Sequence, residues 1–376
     1  MAVFWSLPVV AALLFVATSG AAEKTYQNPV IDSNHPDPGV YLEDGLYYAV
    51  TTSGDDDNSF PILTSSDLVN WTQRGYIFPS GQQPSWSKLD YWAPEIHRVA
   101  PHRYNCYFAA RHTDGTLSVG VATATSPLGP YTDLGYPLVH TPGMGNIDVS
   151  FFNDTDGRQY LVWKRDGNGA SPPVPTPIFV QQITNNGTTL VGEAHQAITN
   201  DQAWEGPLVE GPWIILRNGT YYIFYSANGF TSPKYALGVG RADTVTGPYT
   251  KATDNPFLAS DSSSSPASFR GPGHCSVVGT VGGNWLATWM SVCLPANCPS
   301  SPFFVEPRAY GCDFYALGLS RQHLSDWAVV YHAWHEGEVG NSYRPMMLDQ
   351  LFWNETTGWP YVRNRQASFT PEPYIA

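Results

Sequence analysis

Five times along this 376-residue chain a polar residue opens onto short runs rich in tyrosine, tryptophan and branched aliphatics. The openers Asp37, Glu95, Asp148, Glu210 and His274 are 58, 53, 62 and 64 residues apart. Strand-length runs follow each one: 46–52 and 60–64, then 104–110 and 117–123, then 159–164 and 178–183, then 221–226 and 236–242, then 285–291, 327–333 and 345–353. Turns such as Asp154-Thr155-Asp156-Gly157 and Asn218-Gly219 punctuate the runs, as hairpins require. The segment Ser126-Pro127-Leu128-Gly129-Pro130-Tyr131 has an echo in Thr246-Gly247-Pro248-Tyr249, which independent strands would have no reason to share. No stretch longer than about a dozen residues carries helical periodicity. A small sheet repeated about every 60 residues must stack on its neighbours to bury both faces, and five such units predict an all-β, five-bladed propeller. A β-sandwich is the structural alternative.

Composition narrows the partners. With 32 acidic against 19 basic side chains the net charge is −13, so the chain lacks the basic face that nucleic acid or an anionic membrane demands. A neutral ligand is the simpler expectation. Residues 2–16 are apolar and 17–22 are small, which reads as a secretory signal over 1–22 ahead of one catalytic propeller over 23–376. The start carries no Lys or Arg, and the run contains Pro8 and is shorter than the ~20 residues of a membrane span. Five glycosylation sequons, at Asn70, Asn153, Asn186, Asn218 and Asn354, agree with export. Of the five cysteines, Cys293 and Cys298 could close a small loop, at least one of the set is left over, and none has zinc-site spacing. We read them as structural.

In a propeller the first strand of each blade lines the central channel, so the openers converge on one funnel. Asp37, locked between Pro36 and Pro38, would meet Asp148 and Glu210 there. Three converging carboxylates are costly unless chemistry uses their mutual repulsion. Carboxyl pairs facing a neutral polyhydroxylated ligand are the machinery of glycoside hydrolysis, and surplus tryptophan and tyrosine suit sugar faces. Glu210, followed by Pro212, Trp213 and Ile214, is expected in an apolar surround that suits an acid. Asp37 is the expected base, and Asp148 the carboxyl that raises and positions the acid. Glu205 repeats the Glu-Gly-Pro tripeptide of Glu210 but sits a loop earlier, and is expected at the rim. Glu95 in Trp92-Ala93-Pro94-Glu95-Ile96 is either a fourth channel carboxylate or a backbone acceptor that leaves Trp92 to face the sugar.

The motifs Asn28-Pro29-Val30 with His35-Pro36-Asp37-Pro38, Trp92-Ala93-Pro94-Glu95, Ile147-Asp148 with Phe151-Phe152, Val209-Glu210-Gly211-Pro212-Trp213 and Gly273-His274-Cys275-Ser276 span nearly the whole chain after residue 22. Together they resemble glycoside hydrolase family 43, the five-bladed arabinofuranosidases, xylosidases and arabinanases. The resemblance implies an inverting hydrolase with Asp37 as general base, Asp148 as pKa modulator and Glu210 as general acid, acid and base lying about 6.5–9.5 Å apart. It implies that His274 holds a water-coordinated metal, often calcium, or else serves as a hydrogen-bonded channel histidine; no cofactor is required. Arg344 is implied near the substrate. Cys275 and the cysteine-bearing insert at 291–312 depart from the family pattern. Segments 79–91, 166–177, 260–272 and 293–307 are expected to wall an exo-acting pocket, whereas an endo-acting enzyme needs an open groove. The expected protein is secreted and extracellular, and acts on arabinose- or xylose-containing oligo- or polysaccharide. Its expected activity is first α-L-arabinofuranosidase, next β-D-xylosidase, third endo-1,5-α-L-arabinanase. From a different class, the competing expectation is a non-catalytic carbohydrate-binding propeller.

Overall fold

The computed structural model describes residues 24–53, 57–260, 269–281, 324–335, 337 and 343–375. The expected signal segment, the run 285–291, the Cys293–Cys298 pair and the segment 293–307 lie outside the described residues. Five antiparallel four-stranded sheets follow one another along the chain, each ordered by sequence from first strand to last. Blade 1 begins with Gly39–Glu43, blade 2 with Ser87–Ala100, blade 3 with Asn146–Asn153, blade 4 with Val209–Arg217 and blade 5 with Phe269–Val281. First strands of consecutive blades touch, and the fifth touches the first, so the ring is closed. The predicted runs emerge as strands Leu46–Val50, Arg103–His112, Gln159–Arg165, Thr220–Ala227 and Ala236–Ala242, among others. In blade 5 the described second strand is Leu324–His335, far along the chain from the first.

The near-continuous apolar runs follow from the ring. Successive side chains of a strand point to opposite faces, and in this architecture both faces are interior. In Thr220–Ala227, Tyr222 and Phe224 join the core between blades 4 and 5, while Ile223 and Tyr225 join the core between blades 3 and 4. The same division gives cores between blades 1 and 2 around Phe60 and Phe108, between 2 and 3 around Tyr107 and Phe151, and between 5 and 1 around Tyr47 and Val330. The inner strands are therefore apolar on both faces without being helical, whereas outer strands such as Thr72–Phe78 and Leu190–Ile198 carry exposed runs.

Repeated tails hold the outer edges in the same way. Tyr131 turns back to donate to the carbonyl of Pro127 at 3.0 Å, and Tyr249 does the same to Val245 at 2.8 Å, each burying its ring four residues after its acceptor. All five sequon asparagines are exposed, which glycan attachment would require.

The chain's start seals the seam between blades 5 and 1. Thr25–Tyr26 pairs antiparallel with Glu372–Pro373, and Val30 donates to the carbonyl of Met346 at 2.9 Å. Buried Asn28 covers the edge of Met346–Trp353, donating to the carbonyl of Leu348 at 2.8 Å and accepting its N–H at 2.8 Å. An open strand edge here would leave buried backbone groups unpaired. Asn28→Ala is expected to lower unfolding free energy by about 2–3 kcal/mol through the two orphaned Leu348 groups, measured by urea denaturation; a change below about 0.5 kcal/mol would contradict this role.

Candidate active site

One backbone feature recurs in every blade. Asp37, Ala93, Asp148, Gly211 and His274 all adopt left-handed backbone, with φ of 55°, 46°, 54°, 56° and 47°. In blades 2 to 5 each sits where the ladder to the second strand slips register. A bulge at this point kinks the strand and re-aims its side chains into the funnel. The fivefold register therefore differs from the sequence expectation in two blades: Glu95 lies two residues after its blade's bulge residue, and Glu210 one before. Glu210's counterpart in blade 2 is Trp92. A side chain at Gly211 would press on the His274 ring, its Cβ 3.2 Å from the nearest ring atoms, so both the positive φ and the space call for glycine.

The funnel holds a cavity of about 700 Å³, lined by all six residues singled out from sequence: Asp37, Trp92, Asp148, Glu210, His274 and Arg344. Asp37 sits at the seam. Arg344 Nη1 donates to its Oδ1 at 3.1 Å, and the Nδ1 atoms of His332 and His274 lie 3.2 and 3.5 Å from the same oxygen. Thr52 Oγ1 donates to Oδ2 at 2.6 Å and itself accepts the Ala93 N–H at 2.8 Å, which fixes the carboxylate plane. Burial alone would raise this carboxyl, yet the Arg344 guanidinium and the two imidazoles outweigh it and hold Asp37 well below the usual carboxylate range. Asp37 is an anion.

The opposite wall behaves differently. Burial pushes Asp148 up to about 7, helped by repulsion from Glu210 and Asp37 and opposed by His274 and Lys164. Its Oδ2 accepts the Gly211 N–H at 3.1 Å, tying it to the residue next to Glu210. Glu210 lacks the expected apolar surround, because Trp213 and Ile214 face the interblade cores. Instead Tyr235 donates to its Oε1 at 2.8 Å and buried Lys164 to its Oε2 at 2.9 Å. Lys164 also pairs with Asp166 at 2.9 Å. Burial would strip its proton, but Glu210, Asp166 and Asp148 together keep the ammonium charged.

Arg344 lies over the Phe230 ring at 4.8 Å, and Trp92 packs on Ala109, Leu117 and Ile147 with its indole in the cavity. His274 is pinned by its N–H to Ser226 Oγ at 2.7 Å. Its Nδ1 faces Asp37, leaving one ring nitrogen, so a calcium ion beside it would draw its other ligands from water; that donor set fits a hydrated ion rather than a direct cage. Sequence reasoning missed Lys164, Tyr235, His332 and Thr52. The one signal was a lysine ending the apolar run Tyr160-Leu161-Val162-Trp163.

Glu205 is not at the rim. It is fully buried, accepting the N–H groups of Asp201 and Gln202 at 2.8 Å and pairing with Lys251 at 2.6 Å, so it caps a turn. Glu95 also leaves the funnel to others: its Oε2 accepts the Phe151 N–H at 3.3 Å and meets His97 Nε2 at 2.8 Å. Burial pushes Glu95 up and His97 down to about 3, so it favours the neutral form of both partners. Glu95→Gln is therefore expected to keep turnover and stability within about 1 kcal/mol, whereas Glu95→Ala loses about 2 kcal/mol or more by orphaning the Phe151 amide; abolished turnover in the glutamine variant would make Glu95 part of the chemistry.

Comparison with known proteins agrees with the fold. The chain is 28% identical over 342 residues to the beta-D-galactofuranosidase xynD of Aspergillus niger, covering 87% of this chain and 82% of that one. It is 25% identical to the non-reducing end alpha-L-arabinofuranosidase BoGH43B of Bacteroides ovatus and 26% to a xylan 1,3-beta-xylosidase of Vibrio sp, covering 95% and 81% of this chain. It spans 64% and 57% of those two relatives. A crystal structure of a thermostable family-43 glycoside hydrolase superposes with a TM-score of 0.74 at 27% identity, over 94% of this chain and 99% of that one. The model of the glycosyl hydrolases family 43 matches residues 26–299, and the chain belongs to that family of glycoside hydrolases.

Proposed function

We propose that the protein is a secreted, inverting exo-hydrolase of plant cell-wall pentose polysaccharides, removing a terminal α-L-arabinofuranosyl unit, with β-D-xylosyl as the second reading. One observation carries the proposal: within a single cavity, burial and neighbours drive two carboxyls in opposite directions, Asp37 down and Asp148 up to about 7. The cavity size falls within the ~300–1,000 Å³ of sites that enclose most of a small ligand, which favours a pocket for a chain end. Segment 79–91 supplies Asp90 and segment 166–177 supplies Asp166 and Asn168 to its walls. Two of the relatives named above are furanosidases, which favours the furanosyl reading.

In the reaction, Asp37 accepts a proton from water as the water oxygen attacks the anomeric carbon. The glycosidic C–O bond breaks on the opposite face, and Glu210 gives its proton to the departing oxygen. Water's oxygen ends on the sugar with inverted configuration. Arg344, His332 and Thr52 hold the base, and Asp148 positions Glu210 through the Gly211 amide it accepts. Trp92 and Phe230 offer apolar faces for the ring. A hydrated calcium ion against His274 would offset negative charge beside Asp37.

Release of nitrophenol from aryl arabinofuranoside and xyloside, with products from arabinan and arabinoxylan, tests the reading. Sugar binding without turnover of any of these would instead mark a binding propeller, and internal cleavage of arabinan an endo-arabinanase. Glu210→Gln should lose about 100-fold or more on natural linkages but far less on activated aryl glycosides, since only poor leaving groups need a proton. Equal losses on both would remove the acid assignment. Asp37 loses its activity as pH falls through its depressed pKa; removing the cation in Arg344→Gln raises that pKa, so the acid limb of kcat/KM should move up by about one pH unit or more. An unmoved limb would contradict Arg344 as its counter-charge.

A further inference from the structure

We infer a divalent transition-metal site at the cavity's rim, formed by His112, Asp114 and His140 and separate from the three catalytic carboxylates. One donor atom from each of these residues lies within 4.8 Å of the others. His112 Nδ1 is 3.0 Å from Asp114 Oδ1, His140 Nε2 is 3.2 Å from Asp114 Oδ2, and the two imidazoles lie 4.5 Å apart centre to centre.

The hydrogen bonds around the trio set the protons. Ser118 Oγ donates to the carbonyl of Thr116 at 3.2 Å, so at 2.8 Å it accepts from His140 Nδ1, which places that ring's lone pair on Nε2, towards Asp114. His112 Nδ1 accepts the Asp114 N–H at 3.2 Å, so its lone pair also lies on the side of the carboxylate. Asp114 Oδ1 is already used by the Thr116 N–H at 2.8 Å, which leaves Oδ2 for a ligand. The free lone pair of His140 Nε2, the His112 Nδ1 lone pair held only by the long 3.2 Å bond from the Asp114 amide, and an anionic oxygen converge, and a cation can take all three by displacing that amide. Donors bound at ~2.0–2.1 Å in tetrahedral geometry are roughly 3.4 Å apart, close to the 3.2 Å between His140 Nε2 and Asp114 Oδ2 and inside the 4.8 Å that bounds all three donor atoms. The outer partners are in place too: Ser118 behind His140, and the Trp86 ring stacked on His112 at 6.2 Å.

Two imidazoles and one carboxylate suit zinc, nickel or copper rather than calcium. The ion would clasp the hairpin after Arg103–His112 to the link that leads into Asn146–Asn153, the strand bearing Asp148. Arg111 and Leu117, beside this hairpin, line the catalytic cavity. Its effect is therefore expected on the rigidity of the rim rather than on the chemical step.

The test uses the whole protein stripped with chelator, titrated with Zn²⁺ by calorimetry and with Co²⁺ by visible absorption at about pH 7.5, where free imidazole is neutral. One zinc per chain is expected, with a four-coordinate Co²⁺ band and a rise in melting temperature. His140→Ala and Asp114→Asn, both at half-exposed or exposed positions, should each weaken binding by about tenfold or more and abolish the thermal shift. Zinc binding equal in wild type and both variants, a Co²⁺ spectrum like that of the free aqua ion, or no binding at all would overturn the site. Melting of the metal-free variants at the wild-type temperature separates a lost ligand from a lost fold.

Discussion

No sheet of this chain can bury both its faces alone, and the closed ring is the constraint from which the rest follows. Each blade lends one face to the blade before it and one to the blade after, and the ring closes at the seam between blades 5 and 1. The base lies on that seam. Asp37 comes from blade 1, while Arg344, His332 and His274, which set its charge, come from blade 5. An unclosed ring would have the carboxylate without its Arg344 counter-charge. The N-terminal strap over Met346–Trp353 is thus a structural device with a consequence for chemistry.

The other wall is likewise assembled across an interface. Lys164 of blade 3 reaches Glu210 of blade 4, and the Gly211 amide of blade 4 reaches Asp148 of blade 3. Burial raises every carboxyl in such a cavity, so their differences come from where the cations stand. A guanidinium in contact with Asp37 wins against burial there. Around Asp148 the favourable charges of His274 and Lys164 are offset by Glu210 and Asp37, and burial prevails. Closely spaced, similar groups thereby acquire opposite proton affinities, which acid and base roles need.

Much of this was legible in the linear chain. Strand runs and their spacing follow from period-two burial and turn chemistry, both local, and Asp37, Asp148 and Glu210 are legible because an acid before an aromatic strand stands out from its surroundings. The bulge register was not: in blades 2 and 4 its residue is Ala93 or Gly211, which carry no polar group to mark it. The Glu-Gly-Pro tripeptide occurs twice, and nothing local says that Glu205 turns inwards to Lys251 while Glu210 turns to the funnel.

The sequence by itself determined the repeat, the number of blades and the acidic residues that enter the funnel, since each depends on contacts within a few residues or on spacing along the chain. Only the tertiary structure decided which of those acids is held as an anion and which keeps its proton. That difference comes from Arg344, His332 and His274, which lie 237 to 307 residues from Asp37 in sequence and hold it down, and from burial beside Glu210, which pushes Asp148 up; both arise only when neighbouring blades pack.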